Sequence, residues 1–146
     1  FKAVEFPGGW KVEFQDLEKA AYGVEAVGLL SPAEPADQNP DYAFQIVAAK
    51  DPNLALAGLR IEIETRLRHL AMNSGVPNTE NKNILSLLVL LETADILRKD
   101  EASALREIVD ILGLAVHGAI VGEKSAAWAM RIGPRLLRGL DARLAA

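Results

Sequence analysis

The residues best suited to chemistry in this sequence share one side of a helix that ends near residue 117. Arg106, Asp110, Gly113 and His117 follow one another at steps of four, three and four, a spacing that places them on the same face of an α-helix. A histidine exchanges a proton near neutral pH, and the C-terminal end of a helix stabilises its protonated form. His117 is therefore the candidate general acid or base. The alternative is a histidine that only caps the helix end.

The same four residues form a candidate contact surface between two copies of the chain. The leucines of this helix lie on another side, so this face points to solvent or to a partner. Gly113 leaves room for a second backbone to approach. Arg106 and His117 lie about 16 Å apart along one helix, so they reach a single reacting atom only if two antiparallel copies bring them together.

A basic stripe near the C-terminus is a candidate binding surface for RNA or a nucleotide. Arg131, Arg135 and Arg138 recur at helical steps, and residues 119–146 carry five positive and two negative side chains. Such an asymmetry is typical of phosphate-binding faces, although no aromatic residue interleaves the arginines to stack on bases. The alternative is a solvated helix face whose arginines pair with acidic residues of the same or a neighbouring chain.

The composition excludes several other kinds of site. The 146 residues include two histidines and no cysteine, and they contain neither an acidic calcium loop nor a glycine-rich phosphate loop. We therefore expect no metal and no other cofactor. No stretch has the roughly 20 apolar residues of a membrane span, so we expect a cytoplasmic protein or the cytoplasmic part of a membrane-anchored one. Because the first residue is Phe1, we expect a part of a longer chain.

Helical periodicity dominates the sequence from residue 41 onward and predicts a mainly α-helical bundle of four to five helices. Asp51 and Asp100 are the expected N-caps of two of them. Pro134 lies inside the last helix and is expected to kink it. The helix over 83–97 is apolar on all sides, which favours the middle of the bundle. The predicted helices cover 41–50, 52–73, 83–97, 101–117 and 123–144.

The N-terminal part follows a different pattern. Alternating apolar residues around Pro7–Gly9 predict a small β-hairpin, and residues 16–29 predict a short helix. Three prolines within ten residues predict a linker. The expected organisation is a hairpin and short helix over 1–30, a linker over 31–40 and a helical bundle over 41–146.

Three stretches of the helical part carry a likeness to a known family. They are Asp-Pro-Asn-Leu-Ala-Leu-Ala-Gly-Leu-Arg-Ile-Glu-Ile-Glu at 51–64, Leu-Ala-Val-His-Gly at 114–118 and Ala-Ala-Trp-Ala-Met-Arg-Ile-Gly-Pro-Arg-Leu-Leu at 126–137. In this order they resemble the HEPN superfamily of prokaryotic four-helix domains, and specifically a bacterial branch of it. The resemblance implies a bundle that forms a homodimer through the helix bearing His117. Many HEPN domains are metal-independent ribonucleases, often toxins of toxin–antitoxin or defence systems.

The resemblance transfers the family's histidine to His117 but not the family's arginine. In the HEPN motif four to six residues separate the arginine from the histidine, and the matching positions here are Asp110, Ile111 and Leu112. Arg106 lies too far upstream. Attack of an RNA 2′-hydroxyl on phosphate needs a cation for the developing charge, and a carboxylate at position 110 repels it.

We therefore expect a non-catalytic, HEPN-like module for dimerisation, interaction or sensing. Two alternatives stay open. One is a divergent ribonuclease that uses His117 together with an arginine supplied in trans, from Arg106 or the last helix. The other is an RNA- or nucleotide-binding module that uses the basic stripe of Arg131, Arg135 and Arg138.

Overall fold

The computed structural model describes residues 11–33, 42–48 and 50–146. Over these residues the chain forms a helical bundle, as the periodicity predicted. Lys11 and Ile120 pair in an isolated parallel β-bridge. Within the same residues no helix combines the length and apolarity that crossing a membrane requires. The helices are α1(Phe14–Ala26), α2(Ala43–Val47), α3(Pro52–Asn73), α4(Ile84–Thr93), α5(Lys99–Val116) and α6(Glu123–Ala145).

The helix α3 lies at the centre of the bundle because it packs against both α5 and α6. Its start follows the prediction: the Asp51 carboxylate accepts a hydrogen bond from the Leu54 amide, and Pro52 occupies the first turn. Around α3, α1 packs on α5 and α6, α2 packs on α3, and α4 packs on α3 and α5. The largest fully buried side chains of α3 recur at three- and four-residue steps and are Leu56, Leu59, Ile63 and Leu67.

The last helix closes the bundle with a buried stripe that includes the fully buried indole of Trp128. Gly139 of α6 has a packing reason to be glycine, because a Cβ there would lie 1.8 Å from the Leu29 carbonyl oxygen. The chain leaving α1 therefore crosses α6 in close contact. The Ser31 amide fastens this crossing by donating to the Arg135 carbonyl at 3.0 Å.

The N-terminal prediction needs correction where it can be compared. Residues 1–10, which hold most of the predicted hairpin, lie outside the described residues. Phe14, predicted to continue a strand, is instead the first residue of α1. The Val12 amide donates to the Ile120 carbonyl at 2.8 Å, so this extended segment pairs with the residues that follow α5. The helix predicted over 16–29 is present as α1.

Two predictions about α4 and α5 are wrong. The helix α4 does not lie in the middle of the bundle, because Val89 is 59% exposed. It covers α3 and α5 from outside. The N-cap of α5 is Arg98 and not Asp100, since the Glu101 carboxylate turns back to accept a hydrogen bond from the Arg98 amide at 2.8 Å.

A buried ion pair joins the start of α5 to the end of α6. The Glu101 side chain is buried, and its carboxylate accepts hydrogen bonds from both terminal nitrogens of Arg143. The same guanidinium donates to the Ile96 carbonyl at 3.2 Å. These hydrogen bonds from Arg143 lower the pKa of the Glu101 carboxyl against the opposing effect of burial. One carboxylate thus fixes the cap of α5, the loop before it and the end of α6.

We expect Glu101→Gln to lower the free energy of unfolding by about 2–4 kcal/mol, because the partly buried guanidinium loses its ionised partner. Because the pKa of Glu101 is lower in the folded state than the ordinary value of about 4.5, its carboxylate stabilises the fold above that pH. This stabilisation is lost as the pH falls through the folded-state pKa. Urea unfolding across that pH range measures the difference between wild type and variant. The difference should shrink in acid.

Glu107→Gln is the matched control, since Glu107 lies on the same helix with an exposed side chain. It should change the unfolding free energy by less than about 0.5 kcal/mol. Equal losses in the two variants, or a difference that does not depend on pH, would contradict the role given to Glu101.

Candidate functional site

The four residues predicted as a contact face lie together on the outer side of α5. Arg106, Asp110 and His117 are exposed, and the Arg106 Nε lies 3.8 Å from an Asp110 carboxylate oxygen. His117 is the C-cap, and α5 ends there because Gly118 adopts a φ of +87°. Within the described part of the chain, the imidazole has no hydrogen bond or ion pair. It is therefore accessible to a partner or a substrate.

An arginine that the sequence analysis did not single out lies at the middle of this face. Arg60 of α3 crosses α5 at Gly113: its Nε donates to the Val109 carbonyl at 3.4 Å and lies 3.6 Å from where a Gly113 Cβ would be. The side chain is half-buried and has no ion pair among the described residues. Arg60 belongs to a different helix, so no spacing along α5 could have revealed it.

Asn53 fixes the end of α5 that carries His117. Its side-chain amide donates to the Ala115 carbonyl at 3.2 Å and to the Ala119 carbonyl at 2.7 Å. The two acceptors lie on either side of the turn at Gly118. The orientation of this turn thus depends on a residue in the first turn of α3, which has no distinguishing sequence signal.

The outer side of α3 extends this face with two large apolar side chains. Leu54 and Ile61 are 54% and 65% exposed, and seven residues separate them, so they point the same way. Ala57 lies between them. We call this combined surface the α3–α5 face; it comprises Leu54, Ala57, Arg60 and Ile61 of α3, and Arg106, Asp110, Gly113 and His117 of α5.

The helices α3 and α5 run antiparallel, and their side-chain contacts define which residues lie level with one another. Asn53 reaches Ala115 and Ala119, whereas Arg60 reaches Val109. The position halfway between Asn53 and Arg60 is therefore level with Gly113. At this level α3 carries Ala57 and α5 carries Gly113, and the Arg60 side chain lies across the glycine.

The basic stripe of α6 lies against α1. Arg131 is 2.6 Å from the Glu18 carboxylate, and Arg135 is 3.8 Å from the Glu25 carboxylate. Arg135 also donates to the Ser31 carbonyl at 2.8 Å. These contacts favour the alternative in which the stripe is a charged helix face that pairs with acidic residues of its own chain. Arg138, the third member, is half-buried.

The chemistry open to the α3–α5 face is proton transfer and charge pairing. Among the described residues, no group of three or more histidine, aspartate or glutamate side chains is arranged to hold a metal ion. Comparisons with known protein families, with curated proteins and with solved structures find no significant match.

We expect Asn53→Ala to lower the free energy of unfolding by about 1–2 kcal/mol, because two partly buried carbonyls lose their donor. The turn at Gly118 should loosen, so the amides of residues 117–120 should exchange faster with solvent. Hydrogen exchange followed by NMR measures both effects. Asn73→Ala, at an exposed position at the end of the same helix, should leave that turn unchanged. Unchanged exchange in Asn53→Ala would show that the turn holds without this side chain.

Proposed function

We propose that this chain is a HEPN-like helical domain that works as a non-catalytic, homodimerising interaction or sensing module. The α3–α5 face is the surface through which two copies meet. The mainly helical bundle is compatible with such a domain. The observation that carries the proposal is the spacing of this face: Asp110 and His117 lie on either side of Gly113, and Leu54 and Ile61 lie on either side of Ala57, which is level with that glycine.

The charged half of the face is self-complementary about Gly113. In two antiparallel copies of α5 that cross at this glycine, the axis passes midway between Asp110 and His117. Each Asp110 carboxylate then faces the imidazole of the partner subunit's His117. A protonated imidazole and a carboxylate attract one another, and the pairing fixes the register of the two helices.

The apolar half of the face is self-complementary about the same axis. The midpoint between Leu54 and Ile61 falls at Ala57 and Gly58, which the antiparallel contacts place level with Gly113. Leu54 of one copy therefore packs against the partner's Ile61, and the reverse contact follows by symmetry. Ala57 and Gly113 lie nearest the axis, and the Arg60 side chain lies beside this glycine.

The expected affinity is modest. Burying an exposed leucine or isoleucine contributes about 1.5–3 kcal/mol at most, and both side chains are already partly covered. Association costs several kcal/mol in lost translational and rotational freedom. We therefore expect a dissociation constant of roughly micromolar size, which suits a contact that is regulated or strengthened by the rest of a longer chain.

We expect Ile61→Asp to weaken dimerisation at least tenfold, because the new carboxylate must be buried against the partner's Leu54. Analytical ultracentrifugation over a concentration series measures the dissociation constant. Met72→Asp is the matched control: Met72 is 52% exposed on the same helix but lies about 16 Å further along it, outside the overlap of the two copies. A wild-type chain that stays monomeric at high concentration, or equal effects of the two changes, would refute the proposed face.

The charged half of the face is checked by a double-mutant cycle in the same assay. Asp110→Asn and His117→Gln should each weaken the dimer, and their combined effect should be smaller than the sum by about 1 kcal/mol. Additive effects would remove this pair from the interface.

One contact favours a second candidate, a metal-independent ribonuclease. Arg60 lies across Gly113 without an ion pair in the described residues, and His117 lies one helical turn, about 6 Å, further along α5. Arg60 would stabilise the phosphate charge in place of the motif arginine. His117 would take the proton of an RNA 2′-hydroxyl as its oxygen bonds to the adjacent phosphorus; the bond from phosphorus to the 5′-oxygen would break, and water would protonate the leaving oxygen. Asp110 on the same face opposes this alternative.

Cleavage of a mixed pool of structured and single-stranded RNA without metal tests this candidate. If the ribonuclease is real, His117→Ala and Arg60→Gln should each lower the cleavage rate by at least a hundredfold. Lys19→Gln, a change at an exposed position on α1 outside this face, should leave the rate unchanged. Circular dichroism of each variant verifies that the helices are retained. Absent or equal cleavage in all four proteins would leave the dimerising module as the only function proposed.

A further inference from the structure

A cavity of about 360 Å³ opens between α4 and α5. It is distinct from the centre of the α3–α5 face, with which it shares only Arg106. Its volume lies at the lower end of the range for small-molecule sites. The cavity is lined by Lys82, Leu85, Ser86, Val89, Leu90 and Arg106.

The charge of this lining is entirely positive. Lys82 has no ion pair among the described residues, and the Arg106 guanidinium lies 3.8 Å from the Asp110 carboxylate. Both members of that pair are more than half exposed, so solvent screens their attraction. Two cations that share one concave surface create a positive potential, which favours an anion.

The part of the chain that carries Lys82 is held in place before any ligand arrives. The Arg68 guanidinium donates to the Lys82 carbonyl at 2.7 Å and to the Thr79 carbonyl at 3.2 Å. Next to it, the Asn83 side chain caps α4 by accepting from the Ser86 amide at 2.8 Å. These hydrogen bonds fix the loop between α3 and α4, so little ordering is needed when a ligand binds.

The apolar wall of the cavity favours a ligand that carries an apolar group beside its anionic head. Leu85, Val89 and Leu90 provide apolar surface, and Val89 is the most exposed of them at 59%. A fully hydrated inorganic ion gains nothing from such a wall, whereas an alkyl or aromatic group buries it from water. Ser86 adds one hydroxyl that can donate to an anionic oxygen.

We propose that this cavity binds a small amphipathic anion, a carboxylate or phosphate monoester on a short apolar group. Lys82 and Arg106 contact the anionic head, and Leu85, Val89 and Leu90 contact the apolar body. Every one of these residues belongs to one chain, so the site does not depend on the proposed dimer.

Methyl NMR spectra of the full chain test the site with four probes: hexanoate, hexyl phosphate, hexanol and inorganic phosphate. One or both hexyl anions should shift the methyl signals of Leu85, Val89 and Leu90 saturably. Hexanol should bind at least tenfold more weakly, and inorganic phosphate should leave the methyl signals in place. The tighter of the two hexyl anions identifies the head group as carboxylate or phosphate monoester.

Lys82→Gln and Arg106→Gln should each weaken binding of the preferred anion about tenfold. Lys19→Gln, an exposed lysine on α1, should have no effect. Lys82 lies outside the α3–α5 face, so its variant separates loss of the ligand from loss of the dimer. Equal binding of hexanol and the anions, absence of saturable shifts, or unchanged affinity in both cavity variants would overturn the proposal.

Discussion

The packing of α3 against α5 and α6 at the same time is the constraint on which the rest of the structure depends. Its buried stripe faces inward between these two helices, so the bundle closes around one continuous apolar core. Polar contacts fix the orientation of α3 on both sides. Arg66 reaches the Asp141 carboxylate of α6 at 2.8 Å, while Asn53 and Arg60 reach backbone carbonyls of α5. The side of α3 that bears Leu54 and Ile61 stays exposed and forms one outward surface with the adjacent side of α5.

This arrangement brings together residues that are distant in the sequence. The Arg60 side chain of α3 lies across α5 at Gly113 and donates to the Val109 carbonyl. A Cβ at position 113 would be in ordinary van der Waals contact with this side chain, 3.6 Å from its Nε. A residue of α3 and a residue of α5 thus meet at the centre of the α3–α5 face.

Much of the bundle was predictable because helix periodicity and capping are local. The bounds of α3 follow from Asp51 and Pro52 at its start and from the leucine steps within it. The position of α4 was not predictable, since Val89 is apolar but lies on a solvent-facing side. The cap of α5 depends on Glu101, whose conformation is tied to the distant Arg143. The residues of the α3–α5 face that lie on α5 could be found from their spacing. Arg60, Leu54 and Ile61 could not, because they join this face only through the antiparallel register of α3 and α5.

The distribution of ionic contacts separates structural charges from charges available for binding. Arg131 and Arg135 of α6 pair with α1, and Arg143 pairs with Glu101. These arginines already act in holding helices together, so using them to bind a ligand would require those ion pairs to break. By contrast, the only hydrogen bond of the Arg60 side chain within the described chain is to a backbone carbonyl, and Lys82 lines the cavity beside α4. Arg60 lies between α3 and α5, and Lys82 lies in the loop between α3 and α4. This side of the bundle therefore retains the electrostatic interactions that a second copy or an anion can complete, while the α1–α6 side has largely satisfied its own.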